Sequence, residues 1–416
     1  MQIKIVAPPV MRGQVVLPSS KSISNRALVI NALSERNVDV QNVSDCDDTH
    51  VMQEWLTTRP ATVDIGAAGT AMRFSTALLA LSEGEHVITG SERMKQRPIG
   101  VLVDALRTLG ADISYMEKEG YPPLRIVGNT GLSGGELHLS GSVSSQYVSA
   151  ILMIAPMMAA GLRLKLMGQI ISRPYINMTL SIMRSFGAKA RWERGGRGIV
   201  VEPVPYSGVR PFLVENDWSA ASYWYEMVAL SEDSDASIVL PGLFSRSLQG
   251  DCAGAGLFEQ LGVITCYSDN DNNVVLRKQG GIISFLEYDF VKMPDLAQTF
   301  VVTCCMLGVP FRFTGLQSLK IKETDRIEAL KREMGKLGFL LEERDGRELI
   351  WDGQRQTCDD KVVIDTYDDH RMAMAFAPAA MKHGCLFVNN PQVVTKSYPH
   401  FWDDLKSVGF QIEQTK

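Results

Sequence analysis

The chain has no Cys-x-x-Cys pair, no apolar run long enough for a membrane and no large excess of charge of either sign. Its seven cysteines, Cys46, Cys252, Cys266, Cys304, Cys305, Cys358 and Cys385, are scattered and odd in number. That pattern excludes a disulfide framework and a zinc knuckle, and it fits a reducing cytoplasm. Lys and Arg number 42 against 47 Asp and Glu, a formal net charge of −5, so a nucleic-acid partner, which asks for a broad cationic surface, is not expected. Met1 to Pro9 has neither an apolar h-region nor a small-residue cleavage site, so no secretion signal is expected. The longest apolar run, Ala150 to Leu162, is too short to span a bilayer and contains Pro156; it reads as a core helix, and no membrane partner is expected. His, Cys, Asp and Glu nowhere fall at metal-ligand spacing, and the nucleotide-binding pattern Gly-x-x-x-x-Gly-Lys-Ser/Thr is missing.

What is present is an ordinary globular composition, 45% apolar and 21% charged, in 416 residues. That length exceeds what one hydrophobic core usually serves, so two domains are expected. One pattern recurs: an amphipathic helix, a Gly at its end, then a short β-rich run. It occurs at Leu102–Tyr115, Ile182–Trp192, Leu257–Tyr267, Leu330–Glu343 and Phe401–Glu413, with a degenerate sixth copy at His50–Ile65. A Gly suits the helix end because a left-handed residue there costs it nothing. Strand-like segments lie between the copies, at Gly161–Met167, Ile199–Pro203, Ala236–Leu240 and Val362–Asp365. The expectation is an α/β fold with helices covering sheets. Its boundary falls near Glu215, with 19–214 as one domain and 1–18 plus 215–416 as the other.

Several stretches are suited to anions. Pro18-Ser19-Ser20-Lys21-Ser22 feeds a helix start, where hydroxyls, free N–H groups and the helix dipole favour negative charge, although helix capping beside a solvated lysine reads the same way. Gly66-Ala67-Ala68-Gly69-Thr70 is a small-residue turn that brings backbone N–H groups close to a ligand, or simply packs tightly. Ser142-Val143-Ser144-Ser145-Gln146 precedes an apolar helix with more hydroxyls than one cap needs, and Ser172-Arg173-Pro174-Tyr175 adds a hydroxyl, a cation and an aromatic before the next. Lys95-Gln96-Arg97-Pro98 supplies further positive charge. Later come Pro294-Asp295 before another apolar helix, Lys322-Glu323-Thr324-Asp325-Arg326, and Tyr367-Asp368-Asp369-His370-Arg371. Lys322 and Arg326, four apart, are expected on one helical face with Glu323 beside them, two cations for an acid and a carboxylate for a proton. His370 reads as a supporting residue.

Taken in order, these motifs resemble one family over nearly the whole chain, the 3-phosphoshikimate 1-carboxyvinyltransferases, or EPSP synthases, of the aromatic amino-acid pathway. The resemblance runs from Ser-Lys-Ser-x-Ser-Asn-Arg at Ser20 to Arg26 through Gly-Thr-Ala-Met-Arg, Arg-Pro-Ile-Gly, Ser-Ser-Gln, Lys-Glu-Thr-Asp-Arg and Asp-His-Arg to Lys396. It implies an inside-out α/β barrel of six βαβαββ-like units, three per domain, with the active site in the inter-domain cleft. It also implies phosphoenolpyruvate held by Lys21, Gly69, Arg97, Gln146, Arg326, Arg371 and Lys396. Shikimate 3-phosphate would be held by Lys21, Ser22, Arg26, Ser144, Ser145, Gln146, Ser172, Tyr175, Asp295 and Lys322. The implied catalytic residues are Lys21, Asp295 and Glu323, with no metal or organic cofactor, a monomer, and glyphosate as a competitor of phosphoenolpyruvate.

Departures from the family pattern are Ala67 for the usual Asn, Phe74 for a Pro and Ser318 for an Asn, together with a trimmed first unit in which a β-hairpin is expected to be shortened or lost. The sister enolpyruvyl transferase acting on UDP-N-acetylglucosamine typically has a cysteine before its Arg-Pro loop, and Ser91 to Gln96 contain none. A non-catalytic anion binder would need cations but not Asp295 and Glu323.

Overall fold

The computed structural model describes residues 1–208, 210–268 and 272–415. The chain divides into two compact units, Ser19–Val214 and a second made of Met1–Pro18 with Glu215–Lys416. The fold is α/β, built on small mixed sheets, three in each unit.

Five of the sheets have four strands and one construction. In the Ser19–Val214 unit, Thr62–Asp64 pairs parallel with Gly84–Thr89, which pairs antiparallel with Leu124–Gly128, itself antiparallel to Asp112–Tyr115. A second sheet repeats the order with Gly135–Ser140, Leu162–Met167, Gly198–Val201 and Ala190–Trp192. In the other unit it recurs in Leu286–Asp289, Phe311–Thr314, Glu348–Trp351 and Glu342–Arg344. It recurs again in Arg12–Gln14, Ser237–Pro241, Asn273–Lys278 and Val263–Ser268. The fifth sheet has Val363–Ile364, Cys385–Asn389, Gln2–Val6 and Gln411–Thr415, so the N-terminal strand completes the sheet of the C-terminal repeat.

The helix-Gly-strand copies account for this regularity. Gly110, Gly187, Gly262, Gly338 and Gly409 have φ of +101°, +94°, +86°, +84° and +101°. Each ends a helix in the left-handed region, where a Cβ would be strained, and turns the chain into the fourth, edge strand of its sheet.

Two expectations need correction. The degenerate copy His50–Ile65 lacks its hairpin, in keeping with the shortened unit, but it also departs from the helix-Gly-strand pattern itself. Its helix, Asp47–Thr58, stops at a left-handed Arg59, and the strand that follows, Thr62–Asp64, opens the next sheet instead. What remains of the sixth sheet is Val40–Gln41 paired parallel with Phe212–Leu213, without the antiparallel hairpin. The apolar run Ala150–Leu162 is likewise not one helix. The helix is Ser145–Ile154; Pro156, which cannot supply the next helical N–H, ends it in a 3₁₀ turn, and Leu162 already begins a strand.

Buried helices stand behind the sheets. In Trp218–Leu230 all residues are buried, and Ser145–Ile154 and Gly69–Leu81 are buried on nearly every side, matching their almost unbroken apolar sequences. No helix among the described residues is long and apolar enough to cross a membrane.

Candidate functional site

In the Ser19–Val214 unit, the helices Lys21–Ala32, Gly69–Leu81, Ser145–Ile154 and Arg173–Ser185 pack on one another. Their side-chain bonds show that they begin at the same end. One turn or so inside three of these helices, Arg26 donates from Nε to Thr179 Oγ1 at 2.7 Å and from Nη2 to Ser149 Oγ at 3.2 Å. At the starts of Ser145–Ile154 and Gly69–Leu81, Gln146 Nε2 donates to Thr70 Oγ1 at 3.2 Å. Three of the four helices, those starting at Lys21, Gly69 and Arg173, have no side-chain cap, while Ser144 Oγ caps the fourth by accepting from Gln146 N at 3.3 Å. Uncapped N–H groups converging from several helices form an anion seat.

The cations are placed among them. Arg26 is 2% exposed; its third donation goes to the Ser22 carbonyl at 2.8 Å, and its guanidinium lies 5.2 Å from the Phe74 ring centroid. Its side-chain partners are hydroxyls, and burial pulls it down to about 10, as expected of a cation lacking a negative partner. Phe74, inside the helix Gly69–Leu81, therefore supports Arg26, a role that its standing as a departure from the family pattern did not suggest. Arg97 is also buried, and its Nε has no hydrogen-bond partner. It lies over Gly69 so closely that a Cβ built there would be 2.6 Å from Arg97 Nη1. Lys21 pairs with Asp48 Oδ2 at 3.2 Å. Ser172 is left-handed, at φ 52°, just before its helix, and the Tyr175 carbonyl accepts from Thr179 Oγ1 at 2.9 Å. Ser145 is the first residue of its helix and is buried.

In the second unit the charged residues form one cluster. Asp295, in a 3₁₀ turn leading into the helix Ala297–Leu307, accepts from three cations. They are Lys322 Nζ at 3.2 Å, Arg326 Nη1 at 3.1 Å and Arg371 Nη2 at 3.1 Å. Glu323 accepts from Arg326 Nη2 at 3.1 Å and Lys396 Nζ at 2.9 Å. Asp369, fully buried, accepts from Arg326 Nε at 2.6 Å and Nη2 at 3.3 Å, and it caps the helix His370–Phe376 through Arg371 N. Lys322, Arg326, Arg371 and Lys396 set against Asp295, Glu323 and Asp369 leave an excess of one positive charge. Burial alone would raise Asp295, but Arg371, Lys322 and Arg326 outweigh it and hold the carboxyl well below the usual range. Arg326 is raised despite its burial, by Asp369, Glu323 and Asp295.

The shared helical face expected of Lys322 and Arg326 does not exist. The helix begins only at Arg326, with Asp325 as its cap, and Lys322 and Glu323 lie in the preceding loop. The two cations meet because both reach Asp295, and Asp295 comes from another part of the chain. His370 lies behind the cluster, 3.8 Å from Asp369. Sequence reading missed Asp48 and Asp369 as partners of site cations. Both precede or open helices, where an acid passes for ordinary dipole compensation. Among the described residues no group of three His, Cys, Asp or Glu could hold a metal ion.

Relatives give this arrangement a context. The family model for EPSP synthase (3-phosphoshikimate 1-carboxyvinyltransferase) matches residues 6–59 and 53–405. A 3-phosphoshikimate 1-carboxyvinyltransferase of Bacteroides fragilis is 56% identical over 416 residues, 99% of each chain. Another, from a Sulfurovum species, is 36% identical over 96% of this chain and 97% of its own. The solved EPSP synthase of Acinetobacter baumannii aligns with a TM-score of 0.77 over 99% of this chain and 100% of its own; at 19% identity that is a likeness of fold. With identity of that order along its full length, the chain belongs to the EPSP synthase family and has its 3-phosphoshikimate 1-carboxyvinyltransferase activity, a transferase step of the shikimate pathway to the aromatic amino acids.

Proposed function

We propose that the two residue sets serve one addition–elimination reaction. Lys21, Gly69, Arg97, Gln146, Arg326, Arg371 and Lys396 receive phosphoenolpyruvate. Lys21, Ser22, Arg26, Ser144, Ser145, Gln146, Ser172, Tyr175, Asp295 and Lys322 receive shikimate 3-phosphate. The finer architecture belongs to the same reading: six repeats in an inside-out α/β barrel, three per unit, the first one trimmed. All the residues come from a single chain, and we propose a monomer as the working form.

The chemistry balances as follows. The 5-hydroxyl oxygen of the shikimate ring bonds to C2 of the enolpyruvate and gives up its proton to Asp295. The carbon–carbon double bond takes a proton at C3. The tetrahedral adduct then loses that proton from C3 and expels phosphate, which restores the double bond. Lys21 and Glu323 are the stations for the C3 proton. No metal or organic cofactor takes part, because the cations neutralise phosphate and carboxylate directly.

The observation that carries this reading is Asp295 between Lys322, Arg326 and Arg371. Without substrate those cations hold it ionised and weakly basic. Once phosphate and carboxylate oxygens draw the same cations away, the carboxylate loses that stabilisation and its proton affinity rises as the hydroxyl arrives. Asp295→Asn keeps the shape and removes the base. Measured phosphate release should collapse in this variant while shikimate 3-phosphate still binds; turnover near the wild-type rate would remove Asp295 from the proton path.

A further inference from the structure

The turn that carries Asp369 and Arg371 into the charged cluster has an unusual backbone. Asp369 N donates to the Thr366 carbonyl at 2.8 Å, closing a four-residue turn whose central residues, Tyr367 and Asp368, both have positive φ, 52° and 53°. That is the pattern of a type I′ turn, which glycine, asparagine and aspartate adopt readily. Asp368 suits it; a tyrosine does not, because its Cβ crowds the backbone in the left-handed region. A bulky residue stays in such a conformation only where its surroundings over-determine it.

One helix supplies that constraint. Arg326–Lys336 offers Arg326 and, seven residues and about two turns later, Glu333 to the same stretch of chain. Arg326 holds the last residue of the turn, Asp369, through both of its carboxylate oxygens. Glu333, which is fully buried, holds its start: Oε1 accepts from Tyr367 Oη at 2.5 Å and Oε2 from Asp365 N at 3.0 Å. Lys336 Nζ completes the clasp, donating to Glu333 Oε2 at 2.7 Å, Asp365 Oδ2 at 2.9 Å and the Val363 carbonyl at 2.8 Å. Burial and then Glu333 push the Tyr367 phenol up, so it stays a donor.

We infer that Glu333 and Tyr367 are positioning residues for the family's reaction: the bond from the Tyr367 hydroxyl to Glu333 keeps the turn in its left-handed form, and the turn sets Asp369 and Arg371 where the cluster needs them. Arg371 follows Asp369 by two residues and donates its N–H to Asp369 Oδ1 at 2.9 Å, while its Nη2 reaches Asp295 Oδ2 at 3.1 Å. The inference rests on the reading in which Arg326 and Arg371 receive phosphoenolpyruvate. A relaxed turn withdraws Arg371 and takes from Arg326 its buried acid. Only molecules with the turn formed then bind that substrate well, and the apparent affinity falls in proportion to their fraction. Lys322, assigned to the other substrate, belongs to a different loop, the one after Gln317–Ile321.

Tyr367→Phe removes the hydroxyl and keeps the ring, whereas a change at Glu333 would also strip an acceptor from Lys336 and the Asp365 N–H. Phosphate release by the full-length protein is measured against each substrate with the other saturating. In Tyr367→Phe the KM for phosphoenolpyruvate should rise about tenfold, the effect of a lost hydrogen bond to a charged group, while kcat and the KM for shikimate 3-phosphate stay close to wild type. Adding Asp368→Gly, which removes the strain at one of the two central residues, should recover most of that loss. Arg371→Gln is the control for the phosphoenolpyruvate seat. A raised KM in Arg371→Gln beside a wild-type KM in Tyr367→Phe, even with a lowered melting temperature, would overturn the positioning role. So would equal rises in both KM values, or a double variant no better than Tyr367→Phe alone. A wild-type KM in Arg371→Gln would overturn the seat itself, and this inference with it.

Discussion

Replacing Gly69 with alanine perturbs one defined contact. Gly69 is the first residue of its helix, and its φ lies outside the left-handed region, so a side chain there meets no backbone strain. It meets Arg97 instead. The added Cβ would lie 2.6 Å from Nη1 and 3.0 Å from both Cζ and Nη2. Unstrained contacts begin near ~3.5 Å, so the guanidinium has to retreat by about 0.9 Å. Arg97 is the flexible end of a long side chain, which makes the shift possible, but it is only 8% exposed and has little room. Overpacking of this kind costs about 1–3 kcal/mol, or roughly 5–150-fold in an affinity. If Arg97 receives phosphoenolpyruvate, that factor should appear in its KM, with a smaller loss in kcat because Asp295 and Glu323 are untouched. Glyphosate, the longer molecule, tolerates a displaced guanidinium less well, so its inhibition constant should rise more than the KM. Phosphate release is measured against phosphoenolpyruvate at saturating shikimate 3-phosphate, with and without glyphosate, for both proteins. An unchanged KM, or equal shifts in both constants, would refute a role for Gly69 in keeping Arg97 in place.

The remaining expectations are more direct. Asp295→Asn and Glu323→Gln should each lower kcat by about 10²–10⁴. Asp295→Asn should not raise the substrate KM values, because it frees Lys322, Arg326 and Arg371 for the anions. The Asp295 carboxyl is depressed, so its contribution to stability is complete above the ordinary value of ~3.9 and is lost as the pH falls below it; the gap in Tm between wild type and Asp295→Asn should narrow there, and a constant gap would contradict the ion-pair account. Glu226 presents the opposite sign. It is fully buried, and burial, offset only in part by the Thr303 hydroxyl, pushes it well above the usual range. Stability is then greatest below the unfolded value of ~4.3 and falls as the pH rises, so Glu226→Gln should gain in Tm on the wild type between acid and neutral pH. Turnover should survive a metal chelator, and loss of activity restored by a divalent ion would show that the cationic side chains are not sufficient.

Much of the candidate site was legible before the fold, because several of its parts are local. Ser144 caps the helix that its own sequence starts, Pro294-Asp295 leads straight into the next helix, and Asp369 caps the helix that carries Arg371. Where a local rule was stretched over a longer reach it failed. Lys322 and Arg326 looked like neighbours on a helix that begins only at Arg326. Asp48, which pairs with Lys21, was not singled out at all. Phe74 stood out only as a departure from the family pattern, and it lies against Arg26.

The sequence by itself determined the repeating frame. Five helices end at glycines that must be left-handed, and those ends dictate where each hairpin begins, since φ at one residue is a local matter settled by the presence or absence of a Cβ. It also determined that the missing hairpin of the first repeat had no chain from which to form. Only the tertiary structure decided which charge meets which. Asp295, Arg326, Asp369 and Lys396 come from separate turns and helices, and each pairing depends on how helices with similar apolar faces pack together. It also decided that the first strand of the chain closes the last sheet, and that the Arg26 guanidinium is surrounded by hydroxyls. Ion-pair partners and sheet neighbours distant in sequence leave no periodic trace, because the chain carries only their identities while the fold sets the distances between them.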